Sequence, residues 1–482
     1  MIFLIYEMFM KIKIILALLI LALSLSCFGK EIAVMDSLDT SGKLFDGYYL
    51  KDYKPHRVTD RSSEVYFTKD GFGVGMTKGG EFTLNSNNKR LNFMGLSGIV
   101  LYDRDNPNML YSLDLERIDK AGFYGTCEPL GVTCDIKVVS KDIYVGLSGT
   151  VTSKEDKKIA LAFCFPVDGT TSLVKDKQIW IYDFFDAVKC EESKEYTTPA
   201  PNDPSVSQYP FATIMTGNIS FAMATAPDSR DSKFSYYKDL KSFVNKYDLT
   251  LKKDTPLELD FIVYKYSYLW GFRSAYERYA TIYPSSFPQK ESLKVDPEIK
   301  ELDDVHYYFK SLLNYDGYRV KGPLDLNDIY FIKCVAKNKP VYYEVPKENF
   351  ATEYPKAVFF GFKPLVDNPS PADKKVMAEI LPVYELIQDS AWNVVPAAET
   401  NNRNVMCEMY YKGDDYYVVT FNNNNLKRVS FLMLMDYSGP TTIKNLADNS
   451  NYNIKNKTID IVMNPYGLAV FRYTSEMMNN QK

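Results

Sequence analysis

A long run of short strands is the feature that most constrains what this chain folds into. Between Val65 and Ser267, segments of about five to nine residues alternate apolar and polar side chains and are separated by polar turn residues. This spacing predicts antiparallel pairing. Because so many strands must hide their edges, the run predicts a large two-sheet sandwich.

The pattern changes to helical spacing directly after this run. Apolar residues recur at the spacing that places them on one face of a helix, and these residues are Phe272, Ala275, Tyr276, Tyr279 and Ile282. Pro284 and Pro288 follow and are expected to end the helix. The sequence therefore predicts one N-terminal β domain over residues 30–292, closed by a helix from Phe272 to Tyr283.

Residues 300–398 carry a mixture of helix and strand signals. The segments Ile329–Ile332 and Val341–Val345 are rich in β-branched and aromatic residues, which predicts strands. The continuous apolar run Ala357–Phe362 is typical of a strand that is buried on both faces of a parallel sheet. We therefore expect a short α/β unit here.

One helix start and one linker are also predicted around this unit. Ser370 suits the N-cap position and Pro371 the first turn of a helix that continues through Leu386, with a kink at Pro382. The charged stretch Leu293–Asp304 is predicted to be the linker ahead of the α/β unit.

Alternation returns over residues 402–475, where apolar strands are separated by Asn and Gly turns such as Asn422–Asn425. This pattern predicts a small antiparallel sandwich. The predicted fold class is therefore mainly β and multidomain, with an N-terminal antiparallel sandwich, a short α/β middle segment and a C-terminal β-sandwich.

The start of the chain is typical of a targeting segment. Lys11 and Lys13 precede the apolar run Ile14–Leu25, which is too short to span a bilayer and suits a signal peptide. Met10 is the better start of that signal, and Cys27 marks its end. We expect export, with two alternatives at Cys27: a lipid anchor in the cell envelope, or ordinary cleavage and free secretion.

Charge and histidine content exclude several classes of function. The formal net charge is −4 and no basic run is present, which argues against nucleic acid and leaves a lipid anchor as the only expected membrane contact. Two histidines argue against a His-rich metal site and a Ser-His-Asp triad. No Gly-rich loop leads into a helix, so no cofactor is expected.

Cys127 and Cys134 flank a Pro-Leu-Gly turn. Either they form a disulfide in an oxidising compartment, or they are two free thiols packed as small apolar groups. The sequence leaves both alternatives open.

Several stretches resemble parts of one architecture. Trp270–Tyr279 resembles the end of the N-terminal domain of large bacterial extracellular glycoside hydrolases, and Ser207–Ala212 resembles a strand within that domain. Phe359–Asp373 is similar to the final strand and helix of their barrel, and Asn464–Phe471 to the last strand of their C-terminal β domain. The resemblance implies a galactose-mutarotase-like supersandwich, a (β/α)8 barrel and a C-terminal β domain.

The middle segment departs strongly from that architecture. A (β/α)8 barrel needs roughly 250 residues, whereas about 90 residues separate the two β regions here. Most strands that carry the family's catalytic carboxylates therefore have no counterpart, and no catalytic residue transfers by resemblance.

Glycoside hydrolysis needs two carboxyl groups, and the remaining candidates are Glu344 and Asp367, each placed where the chain leaves a predicted parallel strand. A surface or turn role competes with catalysis at both. Trp180 is the candidate for stacking on a sugar, while packing is favoured for Trp270 and Trp392.

The sequence predicts an exported glycoside-hydrolase-like protein, catalytically degenerate, that binds carbohydrate or another cell-surface partner. The alternatives are an active glycosidase with a reduced catalytic domain and a structural envelope protein.

Overall fold

The computed structural model describes residues 58–477, apart from residues 59, 88, 92, 107–109, 170–177, 181–187, 190–194, 197–198, 201–202, 217–218, 239, 289, 291–297, 304–307 and 436. The predicted fold class is confirmed, because strands in several sheets dominate and helices are few. Among these described residues, no helix is long and apolar enough to cross a bilayer.

The N-terminal domain is built from strands with short 3₁₀ turns at Glu128–Leu130 and Tyr268–Trp270. The strands are β1 (Ser62–Phe67), β2 (Gly73–Thr77), β3 (Phe82–Ser86), β4 (Lys89–Arg90), β5 (Phe93–Met94), β6 (Gly98–Asp103), β7 (Tyr111–Ser112), β8 (Asp114–Asp119), β9 (Gly122–Cys127), β10 (Val132–Ser140), β11 (Val145–Ser153), β12 (Lys157–Pro166), β13 (Asp168–Gly169), β14 (Gln178–Trp180), β15 (Val188–Lys189), β16 (Glu195–Tyr196), β17 (Pro199–Ala200), β18 (Asp203–Ser207), β19 (Phe211–Thr216), β20 (Ile219–Ala224), β21 (Lys233–Tyr237), β22 (Ser242–Leu251) and β23 (Leu257–Lys265).

Two large antiparallel sheets face each other across one core. The nine-stranded sheet has the order β15-β14-β19-β20-β23-β11-β10-β9-β8, and the six-stranded sheet has the order β16-β21-β22-β12-β6-β7. Strands from early and late in the domain pair directly, since β12 lies between β6 and β22 and β23 lies between β11 and β20. Aromatic side chains such as Phe163 and Phe261, with ring centroids 4.5 Å apart, fill the space between the sheets.

Helix α1 (Gly271–Ile282) packs on the outer face of the nine-stranded sheet, as its apolar stripe predicts. The ring of Phe211 lies 4.8 Å from that of Phe272 and 5.1 Å from that of Tyr279. The hydroxyl of Tyr264 donates to the carbonyl of Ala275 at 3.0 Å. The helix therefore covers one part of this face and leaves the rest open.

The middle segment is an open parallel sheet of four strands in the order β24-β25-β26-β27. We call it the half-barrel, because its strand–helix units alternate. The units are β24 (Ile299–Leu302), α2 (Phe309–Leu312), β25 (Gly317–Lys321), α3 (Leu326–Ala336), β26 (Val341–Glu344), the 3₁₀ turn Lys347–Asn349, α4 (Phe350–Phe359), β27 (Lys363–Leu365) and α5 (Pro371–Ile387).

Two strand predictions in this segment are wrong. Ile329–Ile332 lies inside α3, which starts where the Asp325 side chain accepts a hydrogen bond from the Asp328 amide at 2.9 Å. Because α3 is buried on nearly every side, its sequence is apolar all round and hides the helical period. Ala357–Phe362 is the end of α4 and the turn after it, and the strand begins only at Lys363.

The prediction of a linker over Leu293–Asp304 is also corrected, because β24 lies within it and pairs with β25. The helix start at Ser370 is confirmed. Its side chain accepts from the Asp373 amide at 3.1 Å, the Asp373 carboxylate accepts from the Ser370 amide at 2.8 Å, and Pro371 opens the first turn.

The C-terminal domain is an antiparallel sandwich of two sheets, as predicted, and its last described element is a 3₁₀ turn at Ser475–Met477. The four-stranded sheet has the order β28-β30-β31-β36 and the five-stranded sheet the order β29-β32-β35-β34-β33. The strands are β28 (Ala391–Asn393), β29 (Ala398–Thr400), β30 (Val405–Lys412), β31 (Asp415–Asn422), β32 (Arg428–Leu434), β33 (Thr442–Lys444), β34 (Asn451–Lys455), β35 (Thr458–Met463) and β36 (Leu468–Thr474).

Candidate functional site

An open cleft of about 1290 Å³ lies on the outer face of the nine-stranded sheet, beside the half-barrel. Its floor consists of polar side chains from three adjacent strands, β10, β11 and β23. Strand register places them in two cross-strand rows, which are Asp135, Thr150 and Glu258, and then Lys137, Ser148 and Asp260. The cleft floor thus presents carboxylate, ammonium and hydroxyl groups side by side.

The position of this floor follows from strand alternation. Residues two apart point to the same face of a sheet, so Glu258 and Asp260 share a face with Ile262 and Tyr264 of β23. Ile262 and Tyr264 are buried in the core that includes α1. The same face is therefore apolar where helix α1 covers it and polar where the cleft leaves it open.

One wall of the cleft is the loop Asp228–Asp231, which the half-barrel fixes in place. The buried ammonium of Lys310 in α2 donates to the Ser229 carbonyl at 3.0 Å and pairs with Asp231 at 3.2 Å. The Tyr308 hydroxyl also donates to the Asp231 carboxylate. Burial lowers the pKa of Lys310, and the nearby carboxylates oppose that shift. The wall is consequently a braced element that joins two domains.

The electrostatics of the cleft centre on Asp260. Burial raises the pKa of Asp260, and the charges of Asp228 and Glu258 raise it further, while Ser229 and Lys310 act in the opposite direction. Within the described part of the chain, no ion pair joins Asp228, Glu258 or Asp260 to a cationic side chain. These carboxylates therefore remain available as hydrogen-bond acceptors.

The described carboxylates of the cleft are not grouped as metal ligands. Across the described ranges, no group of three or more His, Cys, Asp or Glu side chains is arranged to hold a metal ion.

The two carboxylates predicted from the sequence lie elsewhere, at the C-terminal edge of the half-barrel sheet. Glu344 ends β26 and pairs with Arg319 at 2.6 Å. Asp367 follows β27 and pairs with Lys347 at 3.2 Å, with 79% of its side chain exposed. The structure brings both to the same edge, although the strand before Asp367 is β27 and not the predicted Ala357–Phe362, and it gives each a separate ion-pair partner.

A buried polar cluster joins the three domains, and we call it the junction cluster. The guanidinium of Arg273 in α1 binds the Glu408 carboxylate of β30 at 2.8 and 3.2 Å. The Trp392 indole donates to Glu408 at 2.7 Å, and the Tyr330 hydroxyl donates to the same carboxylate. Trp392 is therefore a packing residue, as expected.

Lys333 of α3 completes the junction cluster. Its ammonium donates to the Phe360 carbonyl at 3.0 Å and to the Tyr410 hydroxyl at 2.9 Å, and it lies 4.3 Å from the centre of the Trp392 ring. Burial lowers the pKa of Lys333 to about 7, with Glu408 opposing the shift. The side chains of this cluster come from three domains and bond to one another and to backbone carbonyls, so the cluster holds the domains together.

Cys127 and Cys134 are free thiols in the structure, which corrects the disulfide alternative. Cys134 of β10 lies opposite Gly125 of β9, so Cys127 is its diagonal neighbour. Diagonal side chains on adjacent strands lie farther apart than the roughly 3.8 Å between Cβ atoms that a disulfide requires. Both thiols pack in the apolar core instead.

Three further predictions lie outside the described residues: the signal segment 1–27, lipidation at Cys27 and the side-chain orientation of Trp180. The backbone of Trp180 belongs to β14, next to β19 in the nine-stranded sheet.

The cleft residues were not among the sites predicted from the sequence. The available signal was a polar residue at alternate positions inside otherwise apolar strands, as in Asp135-Ile136-Lys137 and Glu258-Leu259-Asp260. That signal is shared by any solvated sheet face.

No protein-family model and no curated protein sequence matches the chain. Among solved structures, the chain is similar in fold to the GH36 alpha-galactosidase AgaA of Geobacillus stearothermophilus, with 8% identity over 87% of this chain and 100% of that chain and a TM-score of 0.48. The galactosidase domain of the alpha-galactosidase-sucrose kinase AgaSK gives 8% identity over 85% of this chain and 98% of that chain, with a TM-score of 0.46. A beta-arabinopyranosidase gives 9% identity over 85% of this chain and 100% of that chain, with a TM-score of 0.33. Similarities this weak do not assign a family or an activity.

Proposed function

We propose that this protein binds carbohydrate in the cleft on the nine-stranded sheet and has lost glycosidase activity in its half-barrel. The observation that carries the proposal is the cleft itself, a braced concavity of about 1290 Å³ over a polar part of the sheet face that helix α1 covers elsewhere. Pockets for small molecules are typically about 300–1,000 Å³. A larger, open cleft suits an extended ligand.

The chemistry of the lining supports a polyhydroxylated ligand. Carboxylates such as Glu258 accept hydrogen bonds, Lys137 donates them, and the hydroxyls of Ser148 and Thr150 do both. A sugar presents hydroxyls that also donate and accept, so neighbouring groups of both kinds complement it.

The half-barrel supports a loss of catalysis. Catalytic residues of barrel enzymes come from the ends of several strands, and the half-barrel has four strands in its sheet. Glu344 and Asp367, the carboxylates at that edge, are held by Arg319 and Lys347. Each of the two carboxylates is therefore engaged by its own cationic partner rather than free to act on a substrate.

Binding is tested with an array of neutral oligosaccharides, followed by calorimetric titration of the best ligand. We expect Glu258→Gln to weaken binding at least about tenfold, since a hydrogen bond to a charged group contributes about 1.5–3 kcal/mol, and Thr150→Val to weaken it by up to about tenfold, since a neutral hydrogen bond contributes about 0.5–1.5 kcal/mol. Glu116→Gln is the matched control, because Glu116 is exposed on β8 of the same sheet outside the cleft. Unchanged affinity in both cleft variants would refute this site.

Glycoside hydrolysis within the cleft is the second candidate function, favoured by one observation. Asp260 has a raised pKa and lies two residues from Glu258 on the same face, and glycoside hydrolysis needs two neighbouring carboxyl groups. Aryl glycosides and polysaccharides distinguish the candidates. Turnover abolished by Asp260→Asn but kept in Glu344→Gln would establish hydrolysis in the cleft, and turnover abolished by Glu344→Gln or Asp367→Asn would place it in the half-barrel.

We also propose export to the cell envelope or the medium. The basis is the apolar run Ile14–Leu25 behind Lys11 and Lys13. Mass spectrometry of the native protein is expected to find residues up to about Ser26 removed. A diacylglycerol mass on Cys27 would identify a lipoprotein, and an intact N-terminus at Met10 would contradict export.

A further inference from the structure

Exposed apolar side chains are concentrated on one face of the C-terminal sandwich. Ten large hydrophobic residues of the described chain are exposed, and half of them lie on or beside the outer face of the five-stranded sheet. These five are Leu426, Val429, Phe431, Met433 and Val462. A contiguous apolar patch on a soluble domain marks an interaction surface, whereas scattered apolar residues do not.

The patch arises from the register of two neighbouring strands. In β32, Leu432 and Leu434 face the core while Val429, Phe431 and Met433 alternate outward. Val462 of β35 lies directly opposite Val429. We call these four outward residues the apolar stripe. The strand β32 is thus apolar on both faces, although only one faces the domain's own core.

The charges around the apolar stripe are arranged in a self-complementary way. One cross-strand row runs over four strands, with Glu399 opposite Met433, Met433 opposite Thr458, and Thr458 opposite Lys455. Both charged ends are exposed, and among the described residues neither has an ion-pair partner. The row therefore has an acid at one end, a base at the other and Met433 between them.

We propose that this face packs against the same face of a second copy of the chain. A twofold axis that runs parallel to the strands, above the outer face and midway between β32 and β35, exchanges β32 with β35 and β29 with β34. That operation sets Glu399 of one copy against Lys455 of the other, Val429 against Val462, and Phe431 against the exposed Asp460. A twofold contact must match a surface to itself, and the row from Glu399 to Lys455 satisfies that requirement in charge.

A second copy fits the stripe better than a glycan does. A sugar stacks its apolar face on aromatic rings, and Phe431 is the single aromatic residue of the apolar stripe. The remaining aliphatic groups match the aliphatic groups of an identical sheet, and two sheets pack face to face about 10 Å apart. The proposal is independent of carbohydrate binding, because the cleft lies in a different domain.

Sedimentation velocity over about 1–100 µM protein tests the proposal. We expect the wild type to be a dimer and Phe431→Glu to be a monomer over the whole range. The matched control is Val139→Glu, which changes an exposed valine of β10 in the N-terminal domain and is expected to leave the dimer intact. A monomeric wild type, or a dimer unaffected by Phe431→Glu, would overturn the proposal.

Charge exchange provides a second test that does not touch the apolar stripe. Glu399→Lys and Lys455→Glu each place like charges across the proposed axis, so we expect each to weaken dimerisation on the order of tenfold. The double variant restores the opposite charges and is expected to regain the wild-type dissociation constant. A double variant weaker than either single variant would refute the proposed pairing, and unchanged thermal unfolding of all variants would show that the fold is intact.

Discussion

Arg273 and Glu408 form a buried, two-point ion pair between the closing helix of the N-terminal domain and the C-terminal sandwich, although they are far apart in sequence. Burial alone would raise the pKa of Glu408, but Arg273, Lys333 and the Tyr330 hydroxyl hold that pKa below its usual value. The half-barrel supplies Tyr330 and Lys333 through α3. One carboxylate is therefore shared by all three domains.

Arg273→Met is expected to lower the free energy of unfolding by about 3–5 kcal/mol, because it leaves the Glu408 charge buried without its main partner. The double variant Arg273→Met/Glu408→Leu is expected to recover much of that loss, since both charges are then removed. Urea denaturation of the wild type, the single variant and the double variant measures both effects.

The comparison for this prediction is Arg472→Met, which breaks the Arg472–Asp415 pair at 2.7 Å on the exposed side of the same sandwich. That variant is expected to lose less than about 1 kcal/mol, because solvent screens the pair. If Arg273→Met were equally mild, the junction cluster would not hold the domains together as described.

Lys333 gives stability a pH dependence with a defined sign. Burial lowers the pKa of Lys333 to about 7 in the folded protein, against about 10.4 in an unfolded chain. Between these values the unfolded state binds more protons, so stability relative to a Lys333→Met variant is expected to rise as the pH increases from 7 toward 10. The full difference is about 5 kcal/mol, because the two pKa values differ by roughly 3.4.

Urea denaturation of the wild type and Lys333→Met at pH 7, 8 and 9 measures this dependence. Subtraction removes the titration of groups common to both proteins, such as the exposed tyrosines. A difference between the two proteins that stays constant over this range, or that falls with pH, would contradict a neutral Lys333 in the folded state.

The elements that were predicted correctly from the sequence are those with one buried and one exposed face, because such a face makes apolar residues recur at a regular spacing. Strands such as β10 and β11 have one core face, so apolar residues recur at every second position. Helix α1 has one covered face and shows a stripe. Helix α3 is buried on nearly all sides, and without a polar face it offered no period to distinguish helix from strand.

The cleft could not be predicted from the sequence, and the reason differs from that for helix α3. The polar residues Asp135, Thr150 and Glu258 look like an ordinary solvated sheet face, and only their surroundings make them a concavity. Those surroundings are the loop Asp228–Asp231 and its brace Lys310, which is distant in sequence. Long-range placement of this kind leaves no mark in local spacing.

The thiols of Cys127 and Cys134 are expected to be unreactive in the folded protein. Burial raises the pKa of Cys127, and it raises the pKa of Cys134 to about 12, so almost no thiolate is present near neutral pH. Iodoacetamide at pH 8 is expected to label both only after denaturation. Peptide mapping that finds them joined in the native protein would contradict the free thiols.

Gly361→Ala tests the packing of the turn between α4 and β27 against the junction cluster. Gly361 has a φ of +74°, and a Cβ placed there would lie 2.9 Å from the ring of Tyr410. That ring has little freedom to move, because its hydroxyl donates to the Phe359 carbonyl at 2.7 Å and accepts from Lys333 at 2.9 Å. We expect the free energy of unfolding to fall by about 2–5 kcal/mol from backbone strain and overpacking together.

Gly413→Ala is the matched control. Gly413 has a φ of +59° and no atom within 4 Å of the added carbon, so strain alone is expected to cost about 1–2 kcal/mol. Equal losses in the two variants, measured by urea denaturation, would show that Tyr410 yields and that the junction cluster is not rigid.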